Sequence, residues 1–579
     1  MIFFAVCIFI SAFLLFQVEP MIGKYILPWF GGTPAVWSTV MLFFQVLLTG
    51  GYAYAYWLTG KGRRKEIVHL TLLGLTLLLM LFLGLTWKSP ITPGVGLKPA
   101  GTFSPVWEIF KLLTISVGLP FFLLASNSPL IQAWFNRAYP GHSAYRLYAL
   151  SNAGSLIALI SYPVLVEPNL TLSWQGWNWS LGFVVYAGLA AYGAVKVMRA
   201  RRAQAAEAMP AMSGPTYSSN PDRPASADPP PRPAAGDYLL WIALSACASI
   251  LLLATTNHIT QEVAVIPFLW VLPLTIYLLT FILAFSDERW YRRRLYLILF
   301  FVVTILYAWA MSQGSLNIPL KLYLFSLALF FGCMVCHGEL YRLRPHPDHL
   351  TSFYLMVSVG GAIGGILINF VAPYVFKGFW ELPLGYLLCW LLFLVVSLKS
   401  DTLRRSGWAF VFNTVLLFSA LAISGIRAVL YIRADLTDSL GSWRNFYGVV
   451  RVWQFDQPDS PAYSYGLIHG ITIHGRQFLE ADKRDLPTAY FGPRSGIGLA
   501  LLNFPTRGYG MRVGVLGLGI GTLSAYGQPG DVYRFYEINP TVIQLAEGQG
   551  GYFSYLKDSR ARVEVVLGDA RLSLEQELA

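Results

Sequence analysis

Apolar residues in this sequence come in blocks about twenty long, separated by short polar joints, from the first residue to about residue 426. At a helical rise of about 1.5 Å per residue, such a block matches the roughly 30 Å hydrocarbon core of a bilayer. In hydrocarbon the backbone has no water to bond, so each block has to be a helix. Blocks lie near 1–18, 35–58, 67–87, 108–126, 146–166 and 180–198. A second set lies near 238–256, 265–285, 295–312, 318–338, 352–372, 379–397 and 408–426. The predicted fold is a multi-pass α-helical membrane domain of twelve to thirteen spans: six, a linker, then six or seven. The N-terminal run MIFFAVCIFISAFLLF has no basic start and no small-residue cleavage site, so it reads as a retained first span and not a signal peptide.

Charge supports this and fixes a direction. Only 12% of residues are charged, against about 25% in an average soluble domain. The net charge of +12 is gathered in short clusters between blocks, which excludes a nucleic-acid partner and points to the lipid bilayer. Lys61, Arg63, Arg64 and Lys65 follow the second block, Arg199, Arg201 and Arg202 the sixth, and Arg289 and Arg292 to Arg294 the eighth. Arg342 and Arg344 follow the tenth, and Arg404 and Arg405 the twelfth. Odd joints hold isolated lysines such as Lys24 and Lys98. Positive loops stay in the cytoplasm. That places the N-terminus and linker in the cytoplasm of a plasma membrane and, if 408–426 spans, the remainder outside.

The expected organisation is a first membrane set at 1–200, a disordered Pro/Ala/Ser linker at 201–237 and a second membrane set at 238–430. Beyond it come a β-rich segment at 440–510 and an α/β segment at 511–579. NFYGVVRVWQF and YGLIHGITIHGRQ alternate as hairpin strands do. MRVGVLGLGIGTLSAYG reads as a buried strand, a glycine turn and a helix start; VYRFYEI and RVEVVLGDA read as further strands. Gly517, Gly519 and Gly521 follow the first of these strands, Glu537 ends the second and Asp569 follows the third. Glycines allow close backbone approach to a ligand, and acids at successive strand ends can bind ribose hydroxyls and an adenine amino group. The bland alternative is a plain strand-turn-helix with capping acids.

GLGIGT, EINP and GDAR resemble the motifs of S-adenosylmethionine-dependent methyltransferases, specifically the spermidine synthases. HGITIHGRQ and PTAYFGPRSG resemble the segments preceding that loop. QVEPMIGKYILPWFGGTPAVW and CHGELYRLRP resemble bacterial proteins in which a major-facilitator-like domain is fused to a spermidine synthase. The resemblance implies a partial Rossmann-like domain using S-adenosylmethionine or its decarboxylated form as co-substrate. It implies that Gly517, Gly519 and Gly521 hold the methionine part, Glu537 the ribose and Asp569 the adenine, with Gln477 and Tyr490 near an amine or other acceptor. Ile520 stands where the family usually has an amine-binding acid. The family's catalytic acid follows a fourth strand, which this sequence does not reach, so no catalytic residue is assigned and a fragment or degenerate member is expected. The function implied is a membrane-anchored aminopropyl- or methyltransferase-like protein. The alternative is a transporter or sensor whose C-terminal domain binds a nucleoside without catalysis.

Other residues invite weaker readings. Glu19 and Glu262 fall at matching places, after the first and seventh blocks, which hints at an internal repeat of the kind transporters carry. Interfacial acids with no transport role are the competing reading. Asn127, Arg146 and Glu339 are fainter candidates of the same kind. His469 and His474 are taken to share one strand, facing opposite sides, as structural residues. Cys333-Met-Val-Cys336-His337 matches a haem-attachment pattern. It lies in an apolar block without an evident axial partner and reads as a packed helix, so neither metal nor haem is expected.

Overall fold

The computed structural model describes residues 2–578 apart from 61–64, 100–103, 139–144, 208–232, 263–266, 314–315, 347–348, 400–407 and 471. Among the described residues, thirteen helices are long and apolar enough to cross a membrane. The first six are α1 (Ile2–Trp29), α2 (Pro34–Thr59), α3 (Lys65–Thr86), α4 (Pro105–Phe135), α5 (Ala149–Asn169) and α6 (Leu172–Arg199). The second set is α7 (Ala235–Gln261), α8 (Phe268–Ser286), α9 (Arg293–Ser312), α10 (Ile318–Arg342), α11 (Leu350–Val375), α12 (Glu381–Lys399) and α13 (Phe410–Thr437). The chain is therefore a multi-pass helical membrane protein.

Two sequence boundaries need correction. The first span does not stop near residue 18, because Pro20 sits inside a helix that continues to Ile26. The helix of α6 runs on to Glu207 and the next begins at Ala235, so both edges of the 201–237 stretch are helical. Its centre lies outside the described residues.

The two sets are built alike. Within the first, α1 packs against α5 and α2 against α4; within the second, α7 packs against α11 and α8 against α10. The sets meet along α2–α11 and α5–α8, pairs that interchange when every helix number is shifted by six. A π turn interrupts α5 at Tyr162–Val166 and α11 at Leu367–Val371, each with a proline in it or just beyond, Pro163 and Pro373. Proline removes a backbone donor, and π turns occur often at functional sites. Trp37 of α2 stacks on Trp270 of α8, centroids 4.9 Å apart, across the junction. Leu75, Leu78, Leu81 and Phe82 of α3 stand exposed, as lipid-facing side chains do.

Beyond α13, β1 (Gly441–Asn445), β2 (Gly448–Phe455), β3 (Ser464–His469) and β4 (Thr472–Phe478) form an antiparallel meander. β5 (Arg512–Leu516), β6 (Val532–Glu537) and β7 (Arg562–Leu567) form a parallel sheet in that order. The expected helix after β5 is only a 3₁₀ segment, Thr522–Tyr526, because Gly527 and Pro529-Gly530 break it off. This domain rests on the joints after α1, α3 and α11. Gly31 lies under Ile538, Lys98 pairs with Glu575 at 2.5 Å, and Ser442 Oγ donates to Lys377 O. The basic ends of α10 and α12 lie at the opposite face, where Arg344 pairs with Glu288 and Lys399 with Asp237.

Candidate functional site

β5 leads into a loop in which Gly517, Gly519 and Gly521 have φ of 91°, 57° and 79°. L-residues rarely adopt that region. A Cβ on Gly519 would also come within 2.9 Å of His474 O, and one on Gly521 within 2.5 Å of the Leu556 side chain. The loop is held to β6: Gly517 N donates to Tyr536 O, and Leu518 N donates to Glu537 Oε2 at 3.0 Å. Glu537 Oε1 accepts from Asn539 N at 2.8 Å, and Asp569 Oδ1 accepts from Leu572 N at 3.0 Å to cap the helix Ala570–Glu577. The glycines and both acids therefore meet at the carboxyl edge of one parallel sheet. Each acid also has a local structural bond, and a carboxylate retains further acceptor sites beyond these.

Gln477 and Tyr490 lie differently. Gln477 is buried with its amide occupied: Nε2 donates to Arg484 O and Ser554 Oγ, and Oε1 accepts from Ser554 N. Tyr490 is half-exposed on the 3₁₀ turn Ala489–Phe491, against Phe491. Ile520 is fully buried, packed where a Cβ on Gly475 would stand 2.6 Å from it.

The histidines overturn their sequence reading. Gly470 has φ of 62° and turns the chain, so His469 ends β3 and His474 lies on β4. Their rings are 6.0 Å apart and line the same cavity. Burial lowers both pKa values below the ordinary histidine range; the charge of His469 lowers that of His474 further.

Two cavities lie along the junction of the helix sets. The inner one, about 210 Å³, is lined by Glu19, Gln45, Tyr52, Ser128, Asn152, Ser155, Tyr277 and Ser358. Glu19 is 5% exposed, and its Oε2 has no hydrogen-bond partner. It therefore faces a cavity from inside α1, not an interfacial loop. Glu262 ends the helix Ala235–Glu262, and its side chain lies outside the described residues. The outer cavity, about 670 Å³, lies between the bundle and the C-terminal domain, with His469 and His474 in its wall. Asn445 of that wall donates to Asn539 Oδ1 at 2.7 Å, so the cavity adjoins the Glu537 turn.

The cysteine motif packs in the second set. His337 Nδ1 lies 3.1 Å from Thr280 Oγ1, with its ring edge-on to Tyr277 and Phe281. Cys247, Cys336 and Cys389 bring their Sγ atoms within 4.8 Å of one another, close enough to hold a soft ion. Sequence reasoning missed this trio because its members come from α7, α10 and α12, with no local spacing to reveal them. Glu339 is buried and pairs with Arg293 at 2.9 Å.

No family model matches this sequence, and no curated protein matches it. Among solved structures it is similar to a bacterial homolog of the human lysosomal transporter Spinster, in an inward-facing and occupied conformation. Identity is 14% and the TM-score 0.34, over 75% of this chain and 96% of that one. A likeness of that degree assigns no function, which has to come from the chain's own geometry.

Proposed function

We propose that this protein is a major-facilitator-like solute carrier whose C-terminal domain binds an S-adenosyl nucleoside. The observation that carries the reading is the inner cavity between two similarly built helix sets, a largely apolar space with the unpartnered Oε2 of the buried Glu19 carboxylate in its wall. Carriers made of repeats hold their solute at the repeat junction, and an acid inside a membrane is costly unless it serves such a site. The exchange of α2–α11 with α5–α8, and the paired π turns, support a repeat. In the C-terminal domain, Gly517, Gly519 and Gly521 would take the methionine part of S-adenosylmethionine or its decarboxylated form, Glu537 the ribose and Asp569 the adenine. By the charge rule, the N-terminus faces the cytoplasm of a bacterial plasma membrane.

The carrier reading is tested by single cysteines at Ser128, Ser155 and Ser358, in the wall of the inner cavity. In proteoliposomes these should react with small hydrophilic thiol reagents, while a cysteine at lipid-facing Leu78 should not. No reaction at any cavity position, from either side, would rule out a carrier.

A second reading is favoured by the outer cavity, which leaves room for an acceptor beside the glycine loop. A neutral amine or other nucleophile there would attack the carbon next to the sulfonium sulfur, forming its bond to that carbon as the carbon–sulfur bond breaks and a neutral thioether leaves; the step needs alignment and an acceptor for the proton the nucleophile sheds. That transferase activity would be added to nucleoside binding, with no residue assigned as base. Loss of nucleoside label to a trapped acceptor is the measurement that supports it.

A further inference from the structure

The wall of the inner cavity narrows the kind of solute that fits it. Glu19 reaches that wall from α1 and, among the described residues, takes part in no hydrogen bond or ion pair. Its Oε2 is sealed from water. Oε1 is not, and it is the atom that a molecule in the cavity meets. A carboxyl group held in an apolar setting without a partner is costly, and either a proton or a cation relieves it.

The rest of the wall offers nothing to hold an anion. Among the described residues lining the cavity, Glu19 is the one charged side chain, and no Lys, Arg or His is present. Ser11, Ser155 and Ser358 each commit the hydroxyl proton to a carbonyl of their own helix, Ile8 O, Ser151 O and Leu355 O. Towards the cavity these oxygens can only accept.

Most of the remaining wall is aromatic or aliphatic. Phe16, Phe44, Tyr52 and Phe121 come from the first helix set, Tyr277 and Phe281 from the second. Packing fixes several of these rings. The centroids of Phe44 and Phe121 are 4.4 Å apart, and His337 braces Tyr277 and Phe281 edge-on at 4.9 and 5.2 Å. Aromatic faces attract a cation, more strongly where water is excluded. A cavity of about 150 Å³ holds benzene, so one of about 210 Å³ has room for a ring and a short arm. A single carboxylate pairs a single charge. A diamine such as putrescine would leave its second ammonium among the rings without a counter-charge.

We infer that the inner cavity binds a small arylalkyl amine as its ammonium ion, the charge against Glu19 and the ring among the aromatic side chains of both helix sets. The inference rests on the carrier reading, for which it names the class of solute.

The test is calorimetric titration of the full-length chain in detergent micelles, against empty micelles, with three molecules of one shape: 2-phenylethylamine, 2-phenylethanol and phenylacetate. The amine should bind saturably and at least tenfold tighter than the alcohol, the gain of one charge-assisted hydrogen bond. Phenylacetate and putrescine should not bind. Glu19→Gln should reduce the amine to the affinity of the alcohol, and Glu19→Asp should restore the preference for the amine. Phe281→Leu should weaken the amine about threefold or more. Glu19→Gln removes an unpaired buried acid and should melt no lower than the wild type, so its loss of binding is not a loss of fold. No saturable binding of the amine, alcohol or phenylacetate binding as tightly as the amine, or unchanged amine affinity in Glu19→Gln overturns the proposal. Reactive cavity cysteines in a protein that binds no amine overturn the solute class and leave the carrier. Amine binding without exchange of labelled amine across proteoliposomes sustains the site and removes the carrier.

Discussion

At the scale of single residues, Glu537 is the position where a substitution says most. It ties the glycine loop to β6 through Leu518 N and its own turn through Asn539 N, and it ends the strand where a ribose would sit. Glu537→Ala should weaken S-adenosylmethionine binding about tenfold or more, since a hydrogen bond to a charged group is worth roughly 1.5–3 kcal/mol. Equal affinity in calorimetry would remove the assignment. Putrescine should receive no aminopropyl group from this chain, because Ile520 fills apolar space against Gly475 at the loop position where the resemblance to spermidine synthases would put an amine-binding acid. Measured turnover would show that the loop has been aligned wrongly. The two histidines set a pH dependence. Both are held neutral by burial, so the unfolded chain binds more protons as pH falls below about 6.5. Their contribution to stability is complete above that pH and is lost as pH drops towards the folded values. Melting temperature should therefore fall on acidification, and less so in a His469→Gln/His474→Gln variant; identical pH profiles would refute the linkage. The glycine loop was legible in the sequence because left-handed backbone demands glycine. The facing histidines were not, because the turn at Gly470 was read as a continuing strand. Gln45, which donates to Ser249 at 3.0 Å, gave no signal, because its partner lies 204 residues away.

Elements were legible in proportion to how local their causes are. Apolar length alone located the spans, since a bilayer imposes it directly. Their ends were less visible: α4 reaches Phe135 through a polar stretch, AlaSerAsnSerPro, whose buried Asn127 bonds Ser11 at 2.6 Å. Strand patterns in the meander were clear from alternation, but how it docks on the bundle was not, because the docking residues are far apart in sequence. Arg444 of β1 makes a bidentate pair with Glu381 at the start of α12, at 2.7 and 3.0 Å, each side chain 4% exposed. Removing one partner leaves a buried charge uncompensated, which costs about 3–5 kcal/mol. Arg444→Ala should accordingly loosen the C-terminal domain from the bundle, seen as faster proteolysis after α13 at unchanged bundle helicity. Replacing both partners, Arg444→Met with Glu381→Leu, should recover most of the loss, because an apolar pair of similar volume removes both charges. Unchanged proteolysis in Arg444→Ala would show that the pair does not hold the docking.

At the scale of the whole molecule, the question is which side of the membrane carries the C-terminal domain. An S-adenosyl nucleoside is made in the cytoplasm, which argues for a domain there. The architecture argues otherwise. The domain sits against the joints that follow α1, α3 and α11, and the basic helix ends gather at the other face. The last helix before it, α13, is 28 residues long and packs along α9 and α12, so it runs with the bundle. Its Leu, Ile, Phe and Val side chains each favour insertion by about 0.3–0.6 kcal/mol, against a single Asn413 in the stretch 408–426. If the basic face lies in the cytoplasm, as the charge rule expects, thirteen crossings would place the domain outside. The check is a new cysteine within Asp456 to Ser460, in a chain whose five native cysteines are all buried. A membrane-impermeant thiol reagent should label it in intact cells stripped of any outer membrane. Labelling only after lysis would put the domain in the cytoplasm. Labelling in intact cells leaves an outside domain, to which the proposed nucleoside would have to be brought, with the outer cavity between that domain and the bundle.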